Sequence, residues 1–204
     1  AIRHRPAARH AAKGNAMPTL TVEQLCPLSE AIFVAAGASG ANAARVTEAM
    51  LSANLAGHDS HGVQLIPNYM SQAKSGAIKA DARPSIVEET ATTALVSGHW
   101  GWGQLTAAYG ADVAIRKAKE SKIAAVGMVE CNHVGRLGEY SERASRAGLV
   151  MIGTLGSAAK QGSTAPFGGR TGVLGTNPWS MGIPAGEQPD VLLDFATTVI
   201  AGNK

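Results

Sequence analysis

Between residues 19 and 75 the apolar positions recur at the three- and four-residue spacing of helices. Thr21 and Gln24 fit a capping box, and Val22, Leu25, Leu28, Ile32 and Phe33 supply an apolar stripe behind it. Gly37 and Gly40 are expected to end this helix. A second helix is expected over residues 43–56, with Val46, Met50 and Leu51 on its buried side and Gly57 as its stop. HDSHG, residues 58–62, reads as a turn. A third helix is expected from near Gly62 to Ala73, with Pro67 in its first turn, where a missing N–H does little harm.

The pattern changes at residue 81. DARP reads as a turn, and residues 85–87 and 94–97 are short runs expected to pair as antiparallel strands. GHWGWGQ is a glycine–aromatic loop, after which a helical pattern returns over residues 105–121. An apolar run at 123–129, the polar loop ECNHVGR, a helix over 137–147 and a second apolar run at 149–155 follow. That order predicts a βαβ unit whose two strands are parallel neighbours. A glycine-rich stretch then fills residues 156–177, and short strands are expected near 179–183 and 191–193. The expected fold class is α/β with an N-terminal helical region.

Composition narrows the class. The chain has 204 residues, 45% hydrophobic and 16% charged, which suits a globular protein and excludes a disordered one. No apolar run is long enough to span a membrane as a helix. Two cysteines, Cys26 and Cys131, make no disulfide scaffold, so a reducing compartment, the cytoplasm, is expected. Arg3, Arg5, Arg9 and Lys13 lie in residues 1–16, which hold no acid; without them the net charge of +3 becomes −1. The basic balance therefore belongs to a short tail, expected to be disordered and to precede a natural start at Met17, with organelle targeting as the alternative. Nucleic-acid binding is not expected, because the basic residues of the body do not interleave with aromatics.

Several residues can carry chemistry. His133 follows an expected strand and precedes a helix, the edge where α/β sheets bind ligands, and imidazole exchanges protons near neutral pH. It serves as a proton donor and acceptor or as a plain loop histidine. Arg136 has the fork to hold a carboxylate. Ser157, after the next strand, can hydrogen-bond a substrate or cofactor amide, or be an ordinary loop serine. His58 and His61 stand three apart, but no further ligands stand at metal-site spacing, so no metal is expected. The loop APFGGRTGVLGTNP brings glycines together with Thr176 and Asn177, suited to close backbone approach by a ligand or to a plain connection. Asp194, at a strand end, can accept from ribose hydroxyls or cap the helix that follows. No G-x-G-x-x-G, P-loop or G-x-S-x-G occurs, so the usual Rossmann turn is unsupported.

The strings NLAGHDSHGVQLIPNY, CNHVGRLGEY, APFGG, LGTNPWSMGIP and LLDFATTVIAGNK stand in this order over residues 20–204. Together they resemble the malate/L-lactate dehydrogenase family, and within it look most like the hydroxycarboxylate dehydrogenase B branch. The resemblance implies a non-Rossmann NAD(P)-binding fold, a homodimer, and an oxidoreductase interconverting 2-oxo and 2-hydroxy acids with NAD or NADP. It divides the chain into residues 1–16, a helical region at 17–80, and a cofactor-binding and catalytic region at 81–204. It implies His133 as proton donor and acceptor, Ser60, His61 and Ser157 beside the substrate, and Ser157, Thr176, Asn177, Asp194, Phe195 and Ala196 beside the cofactor. Several family members carry an arginine four residues after the SHG histidine. Here that position is Leu65, and Arg136 is expected to take the substrate carboxylate instead. The family's C-terminal portion, which adds cofactor contacts, has no counterpart in these 204 residues. The rival expectations are a truncated, catalytically silent paralogue that binds cofactor or a subunit, and a binding or regulatory protein without redox chemistry.

Overall fold

The computed structural model describes residues 19–156, 162 and 164–198. Helix α1 (Val22–Ala35) begins as its capping box requires: the Thr21 N–H donates to Gln24 Oε1 at 3.0 Å. Its buried face is Ser29 and Phe33, whereas Val22 and Leu28 of the expected stripe are exposed. Gly37 turns the chain at φ 93°, a conformation that suits glycine. Gly40 does not end α1; it opens α2 (Gly40–Leu55), whose start is capped by Ser39 Oγ accepting from the Asn42 N–H. HDSHG forms a short 3₁₀ turn (Asp59–His61), followed by another (Val63–Leu65). Helix α3 (Ile66–Lys74) therefore starts later than expected, at a turn that Pro67 can occupy.

Strands β1 (Ser85–Glu89) and β2 (Thr93–Ser97) pair antiparallel as expected. Helix α4 (Gly103–Ser121) then carries the chain to β3 (Ala125–Val129), which pairs parallel to β2. The parallel βαβ unit is thus β2–α4–β3. This corrects the expected pairing, which joined β3 through α5 (Gly138–Arg146) to β4 (Met151–Thr154). Instead β4 pairs antiparallel with β5 (Trp179–Ile183), which pairs antiparallel with β6 (Val191–Phe195). The apolar runs occur in the expected order, but run order alone does not say which edge each strand takes. Here β3 finds its partner across the long helix before it, and β4 finds its own beyond the glycine-rich stretch.

The first sheet packs against α4 and the second against α5, and the two helices pack on each other. The joint between the helices is small and apolar: Ala107, Ala108 and Ala111 of α4 meet Tyr140 of α5. The main core lies toward the N-terminus, where Phe33, Val46, Met50, Tyr69, Ile78 and Trp102 close on one another. Phe33 and Trp102 meet edge to face at 5.2 Å between ring centroids. The Trp102 Nε1–H donates to the Ala80 carbonyl at 2.8 Å, so the indole is buried without an orphan donor.

Candidate active site

His133 sits in the loop between β3 and α5, where the sequence placed it. Two features hold that loop. Asn132 Nδ2 donates to the carbonyls of Ala77, Trp100 and Gly101 at 3.3, 2.8 and 2.9 Å, tying the loop to the GHWGWG segment. Gly103 lies flat against it: a Cβ there would stand 2.1 Å from the Asn132 carbonyl oxygen and 2.3 Å from that of His133. The loop can press on the start of α4 only because this residue has no side chain.

Around the ring the N-terminal region supplies the partners. Tyr69 Oη lies 2.7 Å from His133 Nδ1. The His61 ring is stacked on that of His133, centroids 5.5 Å apart and planes 17° from parallel. Ser60 Oγ lies 3.0 Å from His61 Nδ1. Behind Tyr69, the buried Gln104 donates through Nε2 to Tyr69 Oη at 2.7 Å. His133 is exposed as a residue, yet its ring is flanked by those of Tyr69 and His61. Crowding and the neighbouring imidazole both disfavour the cation, and push its pKa down to about 4. Burial lowers His61 as well, reinforced by His58 and Arg136 and opposed by the Asp194 carboxylate. Burial raises the Tyr69 hydroxyl far above its ordinary range, so it remains a neutral O–H.

Asp194 reaches this neighbourhood from β6. Its Oδ2 accepts from the Gly138 N–H at 2.8 Å, so it caps the start of α5. The expected alternative was a cap on the helix that follows; the helix it serves lies 56 residues earlier. Gly138 permits this approach, because a Cβ would stand 2.7 Å from Asp194 Oδ2 and 2.9 Å from Arg136 Nη1. Arg136 is buried, and its two terminal nitrogens donate to Glu142 at 3.1 and 2.9 Å, so its fork is already engaged.

The Thr197 N–H and hydroxyl donate to the Thr176 carbonyl at 3.1 and 3.2 Å, and the hydroxyl also to the Asn177 carbonyl at 3.0 Å. Two segments distant in sequence, Thr176–Asn177 and Asp194–Phe195–Ala196, are thereby set side by side. Ser157 falls outside the described residues, as do residues 1–16. Among the described residues no cluster of histidine, cysteine, aspartate or glutamate suits a metal ion. A groove of about 670 Å³ between α1 and α2, lined by Val22, Cys26, Arg45 and Leu55 among others, contains none of these site residues.

Tyr69, Gln104 and Asn132 are not among the residues that the sequence singles out. Tyr69 lies within the expected third helix, Gln104 is the last residue of the glycine–aromatic loop GHWGWGQ, and Asn132 stands in the polar loop ECNHVGR beside His133. Only the fold brings α3, α4 and the β3–α5 loop together.

The malate/L-lactate dehydrogenase family model matches residues 20–204. Hydroxycarboxylate dehydrogenase B of Escherichia coli O157:H7 is 35% identical over 175 residues, 86% of this chain and 48% of its own length. L-sulfolactate dehydrogenase of Methanothermobacter thermautotrophicus is 36% identical over 162 residues, 78% of this chain and 46% of its own. Malate dehydrogenase from Entamoeba histolytica superposes with a TM-score of 0.85 at 30% identity, covering 91% of this chain and 51% of that one. The chain thus spans about half the length of the relatives it matches. No described helix is long and apolar enough to cross a membrane. On sequence and fold alike, the chain belongs to the malate/L-lactate dehydrogenase family.

Proposed function

We propose that the chain carries the proton-transfer site of an NAD(P)-dependent 2-hydroxyacid dehydrogenase, working on small 2-oxo and 2-hydroxy acids as a cytoplasmic homodimer. One observation carries the reading: the His133 ring, held at Nδ1 by Tyr69 and stacked on His61, within a family whose named relatives are dehydrogenases. NAD or NADP, when bound, exchanges a hydride with C2 of the substrate. His133 gives a proton to the C2 oxygen during reduction and takes it back during oxidation. In the free protein His133 is neutral at pH 7, because its pKa lies near 4. A substrate carboxylate beside the two imidazoles supplies the negative charge they lack and favours proton uptake on binding. His61 and Ser60 face the same oxygen in this reading, and Ser157 is assigned there from the family resemblance. Arg136 enters only as a fixed positive charge, since Glu142 holds its fork.

Thr176, Asn177, Asp194, Phe195 and Ala196 are proposed to hold the cofactor. The joining of their two segments by Thr197 supports this. A carboxylate at a strand end also has the chemistry to accept from a ribose hydroxyl. The test is NADH and NADPH oxidation by the purified chain over a panel of 2-oxo acids. At least one substrate should turn over, and His133→Ala should lose about two or more orders of magnitude while NADH binding persists. Unchanged turnover in that variant overturns the assignment. The half-exposed apolar face of the second sheet favours one further reading, a module that binds cofactor or a subunit without turnover. NADH binding by fluorescence, with no oxidation on any substrate, decides for that module.

A further inference from the structure

Among the described residues Gln104 hydrogen-bonds neither to His133 nor to any residue assigned to substrate or cofactor, yet it is almost fully buried, beside the hydroxyl that holds the histidine. Hydrogen-bond direction along this row is constrained by chemistry. An amide nitrogen only donates, so Tyr69 Oη accepts from Gln104 and keeps its own hydrogen to give. The acceptor within reach is His133 Nδ1 at 2.7 Å. A nitrogen that accepts has no proton, so the neutral ring carries its proton on Nε2. The reverse amide orientation would put the carbonyl on Tyr69 and leave an NH₂ group buried without a partner. As oriented, the unpartnered atom is Gln104 Oε1. A lone buried carbonyl is the lesser cost of the two.

We infer that Gln104, acting through Tyr69, is a positioning residue that fixes His133 in the Nε2–H tautomer. The inference rests on His133 being the proton-transfer residue proposed above. The consequence bears on substrate binding. In this tautomer His133 presents a hydrogen-bond donor to a 2-oxo group, so the free protein is arranged to bind the oxidised substrate. Proton transfer in either direction passes through a ring protonated at Nδ1, which requires the row to turn over: Nδ1 must donate to Tyr69 Oη, and Tyr69 must release its hydrogen elsewhere. Gln104 opposes that turn, because the amide nitrogen it presents to Tyr69 gives the displaced hydrogen no acceptor. The groups facing His133 are His61 from the 3₁₀ turn and Tyr69 from α3, with Arg136, Asp194 and His58 acting on His61. None of them supplies an acceptor for Nδ1–H in place of Tyr69 in the geometry observed.

The test is long-range ¹H–¹⁵N correlation of the histidine side chains in the full chain, with His133 assigned by its loss in His133→Gln. Wild-type His133 should show the Nε2–H pattern at pH 7. In Gln104→Met, which keeps the side-chain length but removes the donor, the ratio of tautomers should move toward Nδ1–H by roughly five- to tenfold, the worth of one hydrogen bond. Tyr69→Phe should move it the same way. The Gln104→Met variant should also raise KM for a 2-oxo acid more than it lowers kcat. An Nδ1–H pattern in the wild type overturns the inference whether or not the variants fold, and an unmoved ratio in a folded Gln104→Met overturns the role of Gln104. Neither result depends on turnover. Confirmed tautomers without oxidation of NADH or NADPH would instead sink the dehydrogenase reading and leave this inference standing.

Discussion

The N-terminal helical layer and the second sheet are held by different kinds of contact. In the helical layer Phe33 is 0% exposed and Trp102 1%, and aromatic rings meet aromatic rings. In the second sheet Trp179 is 45% exposed, Leu193 47% and Phe195 51%, because alternate residues of β5 and β6 present one apolar face outward. The inward face joins α5 largely by polar contacts. Ser180 Oγ donates to Ser141 Oγ at 2.8 Å, Ser145 donates to Asp190, and Asp194 caps α5 through Gly138. The candidate site spans the two regions: His61 and Tyr69 come from the first and Asp194 from the second. One wall of the site is set by close packing, the other by a few directional hydrogen bonds.

The largest effect that tests this contrast is Trp102→Ala. It removes a fully buried indole and one of two donors to the Ala80 carbonyl, Asn42 Nδ2 being the other, so it should cost about 3–5 kcal/mol in chemical denaturation. Loss of the Tyr69 contact to His133 should accompany it. A cost below about 1 kcal/mol would show that the helical layer is not the packed wall described here.

On the other wall, Asp194→Ala removes a helix cap that belongs to another strand. It should cost about 0.5–2 kcal/mol and loosen the start of α5, seen as faster amide exchange at Gly138. Phe195→Ser, one residue away but on the outward face, should change stability by less than about 1 kcal/mol. If Phe195→Ser proves the costlier of the two, the outward face is covered in solution and the contrast fails.

Legibility in the sequence follows the same divide. Local signals were readable: the Thr21–Gln24 box, the antiparallel β1–β2 pair, the long α4 and the runs that became β3 to β6. His133 was readable too, since a histidine between a strand and a helix occupies a ligand-binding edge in α/β proteins. Pairings that depend on distant chain were not. Nothing local says that β3 joins β2, or that β4 waits for β5 across the glycine-rich stretch. The same limit hid Tyr69 and Gln104, and it made Arg136 look free when Glu142 holds it. It also reversed the exposure of Val22 and Leu28, because a helical stripe shows which residues share a face without showing what covers it.

The smallest effect is the pH dependence of stability, because His133 is exposed and solvent screens its charge, and its sign can be worked out. His133 has its folded pKa depressed to about 4, and His61 is lowered as well, while both return to about 6.5 in the unfolded chain. Between pH 6.5 and 4 the unfolded state therefore binds more protons than the folded one, and stability falls as pH falls through this window. The shifted carboxylates, Glu23 and Glu89, are lowered from 4.5 and are exposed, so they act mainly below pH 4.5. The interval from pH 6.5 to 4.5 thus reports chiefly on the two stacked imidazoles. His133→Gln should flatten the fall in unfolding midpoint across that interval, whereas Phe195→Ser, on the far face of the second sheet, should leave its slope unchanged. An equal slope in wild type and His133→Gln would mean that solvent at this exposed residue outweighs the crowding by Tyr69 and His61. The packed wall would then have no hold on the charge of the histidine it carries.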